Sequence, residues 1–87
     1  SRRAHRRAAV QLSAREFDVM RILLRSQSTI LSKEVILARV WGYDSDAVEN
    51  HVEVYAGFLR KKLASIGSNV RIEAIRRLGY HLEVAEV

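Results

Sequence analysis

The chain contains no cysteine and no proline. Without cysteine, neither a disulfide nor a thiolate zinc site can brace the fold. A core drawn from 87 residues must therefore close by packing alone. A chain of this size buries only about 60% of its unfolded surface and makes one domain at most. The missing proline, against roughly 5% in average proteins, leaves long helices uninterrupted. Glycine is scarce, at four residues, and no glycine-rich phosphate loop or Ser/His/Asp order is present. No apolar run exceeds four or five residues, which excludes a membrane-spanning helix and a signal segment. The histidines are scattered, with His5 in a basic arm, His51 in a helix pattern and His81 in a strand pattern. That spread does not make a metal site. His51 beside Glu53 and Tyr55 is no acid–base pair either, because residues two apart on a helix do not face each other. No catalytic, cofactor or metal site is expected, and the chain does not read as an enzyme.

Acidic residues are the minority. Ten Asp and Glu face fifteen Lys and Arg, for a net charge of +5 and a pI near 10.2. Residues 1–31 carry +5, residues 32–56 carry −3, residues 57–82 carry +5 and the last five carry −2. Two basic segments flanking an acidic middle are the footprint of a surface that faces phosphate. The plainer reading is a set of solvated faces.

Residues 1–7 hold four arginines and nothing apolar to anchor them, so residues 1–9 are expected to be a flexible basic arm or linker remnant. The domain proper spans 10–85. Val10-Gln11-Leu12 alternates and predicts one short strand. Ser13 with Glu16 has capping-box spacing and predicts a helix to about Arg25. Phe17, Met20, Leu23 and Leu24 form its inner face, with Val19 beside them. Ser32 is a second N-cap candidate for a helix over 33–41, closed by Gly42 in the left-handed position. Asp46 with Glu49 repeats the cap logic and predicts a third helix from Ala47 to about Ser65. At about 100° per residue, Val48, Val52, Ala56, Leu59 and Leu63 share its inner stripe. Asn50, Val54, Gly57, Phe58 and Lys61 share the opposite one. An outer face with Asn, Val, Phe and Lys, and almost no acid, points to a partner surface: Asn can bond bidentately to adenine, and apolar groups touch the thymine methyl. The alternative is that Phe58 folds onto a neighbour. Val70–Ile75 and Tyr80–Val84 alternate around Arg76 and Arg77, predicting a β-hairpin tipped by two arginines. Tyr80 and Leu82 are expected in its core, and Trp41 half in the core with its indole N–H free for a phosphate.

This layout is α+β: a winged helix-turn-helix with three helices and a C-terminal hairpin wing. The chain resembles the C-terminal effector domains of OmpR/PhoB-type response regulators. The matching runs are Leu12-Ser13-x-x-Glu16-Phe17, Leu31-Ser32-Lys33-Glu34, Val40-Trp41-Gly42-Tyr43, Val52-Glu53-Val54-Tyr55, Leu59-Arg60-Lys61-Lys62-Leu63 and Ile72-x-x-Ile75-Arg76-x-x-Gly79-Tyr80. The resemblance implies sequence-specific binding of double-stranded DNA in bacterial transcription control, within a two-component system in the cytoplasm at the nucleoid. It places the third helix in the major groove and the wing at the minor groove or backbone. By position, the family's base-reading sites fall on Asn50, Val54, Gly57 and Phe58. Its backbone sites fall on Trp41, Tyr55, Arg60 and Arg76, with His51, Lys61, Lys62 and Arg77 as further candidates beside them. Gly42, Tyr43, Asp44, Ser45 and Asp46 fall on a loop through which family members often meet RNA polymerase. An upstream receiver domain and head-to-tail pairing on DNA are further implications, with no membrane partner. The sequence departs from the family where Ala74 replaces a common wing Thr and where Arg77 stands in place of a usual Gly, which puts the wing's shape in question. The family's N-terminal sheet is reduced or truncated here.

Two other functions fit less well. A winged helix used only for protein–protein contact would carry an apolar or acidic third-helix face. A non-specific basic binder of RNA or membrane would show no preference among duplexes.

Overall fold

The computed structural model describes residues 9–85, so residues 1–8 of the expected arm lie outside the described residues. Three helices, α1 (Ala14–Arg25), α2 (Lys33–Trp41) and α3 (Glu49–Ser65), precede an antiparallel hairpin of β1 (Val70–Ile75) and β2 (Gly79–Val84). The fold is the winged helix that the sequence predicts.

Local chemistry sets the helix ends. The Ser13 hydroxyl accepts the Glu16 N–H at 3.2 Å, and Glu16 Oε1 accepts the Ser13 N–H at 2.8 Å, closing the reciprocal box. Ser32 Oγ accepts the Val35 N–H at 3.0 Å to start α2. Gly42 ends α2 with φ +93° and ψ 159°. Its φ is positive, as expected, but its ψ is extended, so the chain leaves α2 straight into the loop instead of curling through a left-handed cap.

The third helix differs from expectation at its start. It begins at Glu49 and not Ala47, with Val48 as N-cap. Asp46 is not the cap: His51 Nδ1 reaches back to accept the Val48 N–H at 3.0 Å, and Ser45 Oγ accepts the Ala47 N–H at 2.9 Å. Val48 also leaves the inner stripe. Its backbone is extended, helical spacing does not apply to it, and its side chain is exposed.

The core gathers Val19 and Leu23 from α1, Leu31 and Ile36, Val52, Ala56 and Leu59 from α3, and Ile72, Tyr80 and Leu82 from the hairpin. Phe17 and Leu24 are corrections: they are 53% and 45% exposed. The buried side of α1 is set by Glu16, Val19 and Leu23, and Phe17 and Leu24 lie about 105–130° around the helix from it at 100° per residue. Val10–Leu12 forms no strand. No described strand pairs with it, and the Gln11 carbonyl accepts the Lys62 ammonium at 2.7 Å instead.

The hairpin pairs Val70 with Val84 through to Ile75 with Gly79. It is fastened to the helices by a two-way bridge: the Leu31 N–H donates to the Tyr80 carbonyl and the Tyr80 N–H to the Leu31 carbonyl, both at 2.8 Å. Gly79 makes this approach possible. It has φ +142°, and a Cβ there would overlap the Leu31 carbonyl. The wing is thus held at a fixed height beside α3.

Candidate nucleic-acid interface

The outer face of α3 is built as its spacing predicts. Val52, Ala56 and Leu59 are buried, which turns Asn50, Val54, Phe58 and Lys61 outward, with Gly57 partly covered among them. Val54 and Phe58 are 40% and 44% exposed. A face carrying apolar, amide and cationic groups, with Glu53 at its edge tied to Lys33, is suited to base edges in the major groove.

Phe58 unites the two readings of it. Its ring stands edge-on to Tyr55 at 5.3 Å while much of it stays in solvent. Tyr55 stands edge-on to Trp41 at 5.4 Å, and Trp41 meets His51 at 6.0 Å. A ladder of aromatic edges therefore runs from the end of α2 up the flank of α3. Such contacts hold ring orientation and contribute about 0.5–1.5 kcal/mol each. Trp41, His51, Tyr55 and Phe58 are thereby brought together.

Arg15 completes this ladder and was not apparent from the sequence. Its guanidinium sits 5.3 Å from the Trp41 ring centre, and Nη1 donates to the Val40 carbonyl at 2.7 Å. Arg15 and Val40 are 25 residues apart, and no periodic signal connects them.

The opposite flank of α3 faces the wing. Arg60 Nε donates to the Ile72 carbonyl at 3.0 Å, and its guanidinium lies 5.9 Å from the Tyr80 ring centre. Arg60 so ties α3 to β1 through one edge and keeps its remaining N–H groups at an exposed position. Lys33 and Glu53 form a 2.6 Å ion pair on this flank, and the Glu53 carboxylate holds the Lys33 ammonium above the usual lysine range.

Lys62 is a correction to the phosphate-facing set. Its Nζ lies 2.6 Å from Glu16 Oε1 and also donates to the Gln11 carbonyl, so it bonds toward α1. Glu16 is only 5% exposed. The Lys62 hydrogen bond, then the Ser13 N–H, lower the Glu16 carboxyl from its ordinary range against the opposing effect of burial. Lys62 is a structural cation, and Lys61 alone of the pair is turned outward.

Arg76 and Arg77 are both exposed at the wing tip. Among the described residues the ion pairs are Lys33–Glu53 and Lys62–Glu16, so neither wing arginine is paired. Arg77 keeps a backbone that glycine favours, with φ +69°. The wing therefore retains its turn and gains a side chain there. The loop Gly42–Asp46 is exposed, Tyr43 at 92%. Among the described residues no helix is long and apolar enough to cross a membrane.

A three-helix domain with a solvent-facing third helix and a cation-tipped hairpin docked beside it is a winged-helix DNA-binding domain. Residues 7–82 match the family described as transcriptional regulatory protein, C terminal. The chain belongs to that family and is a DNA-binding effector domain of transcription regulation. It is 42% identical over 65 residues to the response regulator ArlR of Staphylococcus haemolyticus, covering 75% of this chain and 30% of that protein. It is 37% identical over 75 residues to the transcriptional regulatory protein PrrA of Mycobacterium tuberculosis, covering 86% and 32%. The chain thus spans about a third of the length of these relatives. The C-terminal domain of the nisin resistance regulator NsrR superposes with a TM-score of 0.74 at 35% identity, over 88% of this chain and 78% of that one. The DNA-binding domain of Bacillus subtilis CssR does so at 0.74 and 27%, over 85% and 80%. The AdeR DNA-binding domain, solved with an intercistronic region, shares the fold with a TM-score of 0.78 at 22% identity, over 91% and 79%.

Proposed function

We propose that α3 enters the major groove and reads bases through Asn50, Val54, Gly57 and Phe58. The observation that carries this is the acid-poor outer face of α3, with exposed Val54 and Phe58 between an aromatic flank and a cationic wing. Asn50 pairs with an adenine edge, and Val54 and Phe58 cover thymine methyl groups. Gly57 lets the helix backbone approach closely. Trp41, His51, Tyr55, Arg60 and Lys61 contact phosphates around the groove, and Arg76 contacts phosphate from the wing. The four arginines of residues 1–7 add affinity without sequence preference. In the full-length protein a receiver domain precedes this one, copies pair head-to-tail on DNA, and Gly42–Asp46 meets RNA polymerase.

The test is selection of duplexes from a random pool, followed by competition at matched salt. A specific reader prefers its selected duplex by at least about a thousandfold. With Lys62 bonded elsewhere, Arg60, Lys61, Arg76, Arg77 and part of the arm predict a slope of log K against log salt of about −4. A slope shallower than −2, or equal binding to all duplexes, would leave only a weak basic binder.

A further inference from the structure

We infer that Arg15, on α1, is a positioning residue for base reading: through Trp41 and Tyr55 it sets the angle at which Phe58 meets a thymine. The inference rests on the reading of Phe58 proposed above and adds to it a residue from outside the recognition face.

Phe58 draws its support from elsewhere. It is 44% exposed. On one side Gly57 offers no side chain, and a Cβ there would meet nothing within 4 Å. Among the described residues its one aromatic contact is the Tyr55 ring, edge-on at 5.3 Å and 71°. A long side chain on a helix has two open χ1 wells, and the Tyr55 edge holds Phe58 in one of them. Tyr55 in turn stands edge-on to Trp41 at 5.4 Å and 72°. The angle of the exposed ring therefore depends on where Trp41 is held.

Trp41 is the last residue of α2, and an exposed loop follows it. The final carbonyls of a helix lack intrahelical partners, and helix ends fray. Arg15 closes this end from α1. Its Nη1 donates to the carbonyl of Val40, the residue before Trp41, at 2.7 Å. Its guanidinium lies over the Trp41 ring at 5.3 Å, within cation–π range. One planar group thus fixes both the backbone ahead of the indole and the ring itself. Its own helix does not account for it. Arg15 sits in the first turn of α1, where a cation opposes the helix dipole, whereas the C-terminal end of α2 favours one. Among the described residues Arg15 has no ion pair.

The experiment uses the duplex selected by the parent protein, with each thymine in turn replaced by uracil, which removes only the 5-methyl group. The thymine under Phe58 is the one at which the parent loses affinity and Phe58→Ala does not. There the parent is expected to prefer thymine by about fourfold, the worth of one buried methyl group. A ring without support must be ordered on binding, at a cost comparable to that contact, so Arg15→Met is expected to cut the preference to about twofold or less. It is also expected to raise acrylamide quenching of Trp41, the single tryptophan, in the free protein. Both readouts are taken below the melting temperature of each variant. Arg15→Lys keeps a charge and a donor for the Val40 carbonyl but not the plane that lies over the ring. It is expected to move both readouts the same way by less, and it carries the test if Arg15→Met does not fold. A thymine preference kept in full by both variants overturns the inference, as does unchanged quenching of Trp41. An equal loss on thymine and uracil duplexes makes Arg15 a phosphate contact or a purely structural residue, and also overturns it. If no thymine distinguishes the parent from Phe58→Ala, the base-reading proposal for Phe58 falls and this one with it. If one does and only the Arg15 results fail, the α3 reading stands.

Discussion

Lys62 Nζ on α3 lies 2.6 Å from Glu16 Oε1 on α1, and this carboxylate is also half of the α1 capping box. One buried acid thus serves the start of α1 and its attachment to α3. Lys62→Met leaves Glu16 without its cation and is expected to lower stability by about 1–3 kcal/mol. The measurement is denaturant unfolding. Affinity for DNA under folding conditions is expected to stay near the parent's.

The same pair predicts a pH dependence. The Glu16 carboxyl is lowered from its ordinary value in the folded state, so the unfolded chain binds its proton first as pH falls. The stabilisation is complete above the unfolded value of about 4.3 and is lost as pH falls through the lower folded value. Glu16→Gln is expected to flatten stability against pH in that acid window. An unchanged acid limb would show that other carboxylates dominate it.

Phe58 and Leu59 are neighbours with opposite surroundings, 44% and 1% exposed. Phe58→Ala is expected to cost under about 1 kcal/mol of stability, the loss of an edge contact with Tyr55, and to weaken binding to the selected duplex. Leu59→Ala is expected to cost about 2–5 kcal/mol as a core truncation. Equal stability losses would displace the register of α3 and the base-reading assignments with it.

Gly79 governs wing docking. Gly79→Ala forces a methyl group onto the Leu31 carbonyl and an alanine into φ +142°. A loss of at least about 2 kcal/mol is expected, with exchange protection of the Leu31 and Tyr80 amides falling more than that of α3. Protection retained at both amides would show that the backbone has room to shift.

Arg76 separates a geometric contact from mere charge. Arg76→Lys is expected to lose affinity because an ammonium cannot copy the planar fork. Arg76→Ala is expected to lose about 1–3 kcal/mol of binding at an unchanged melting temperature. Parent-like binding by Arg76→Lys would leave charge as the whole contribution.

The helices and the hairpin were legible in the sequence because their signals are local. Ser13 and Ser32 mark helix starts through hydroxyl caps, and alternation over 70–75 and 80–84 marks the strands. The outer face of α3 was legible for the same reason, since Val52, Ala56 and Leu59 fix which way a regular helix turns. Apart from the start of α3, where His51 and Ser45 take the local backbone partners expected of Asp46, what failed was decided at longer range. Phe17 and Leu24 satisfy helical spacing as well as Val19 does, and only the positions of α2 and α3 choose which arc of α1 is covered. Lys62 reads as one more basic residue beside Lys61 until Glu16, 46 residues away, is folded against it. Arg15 has no periodic tie to Trp41. The substitution at Arg77 is visible in the sequence, but its positive φ follows from a turn held closed by the ladder on both sides. Sequence alone determines what each segment can form, because capping and periodicity act within a few residues. Tertiary structure decides which charges are bonded inside the domain and which stay free for DNA, because a side chain's partner is set by packing between segments distant in the chain.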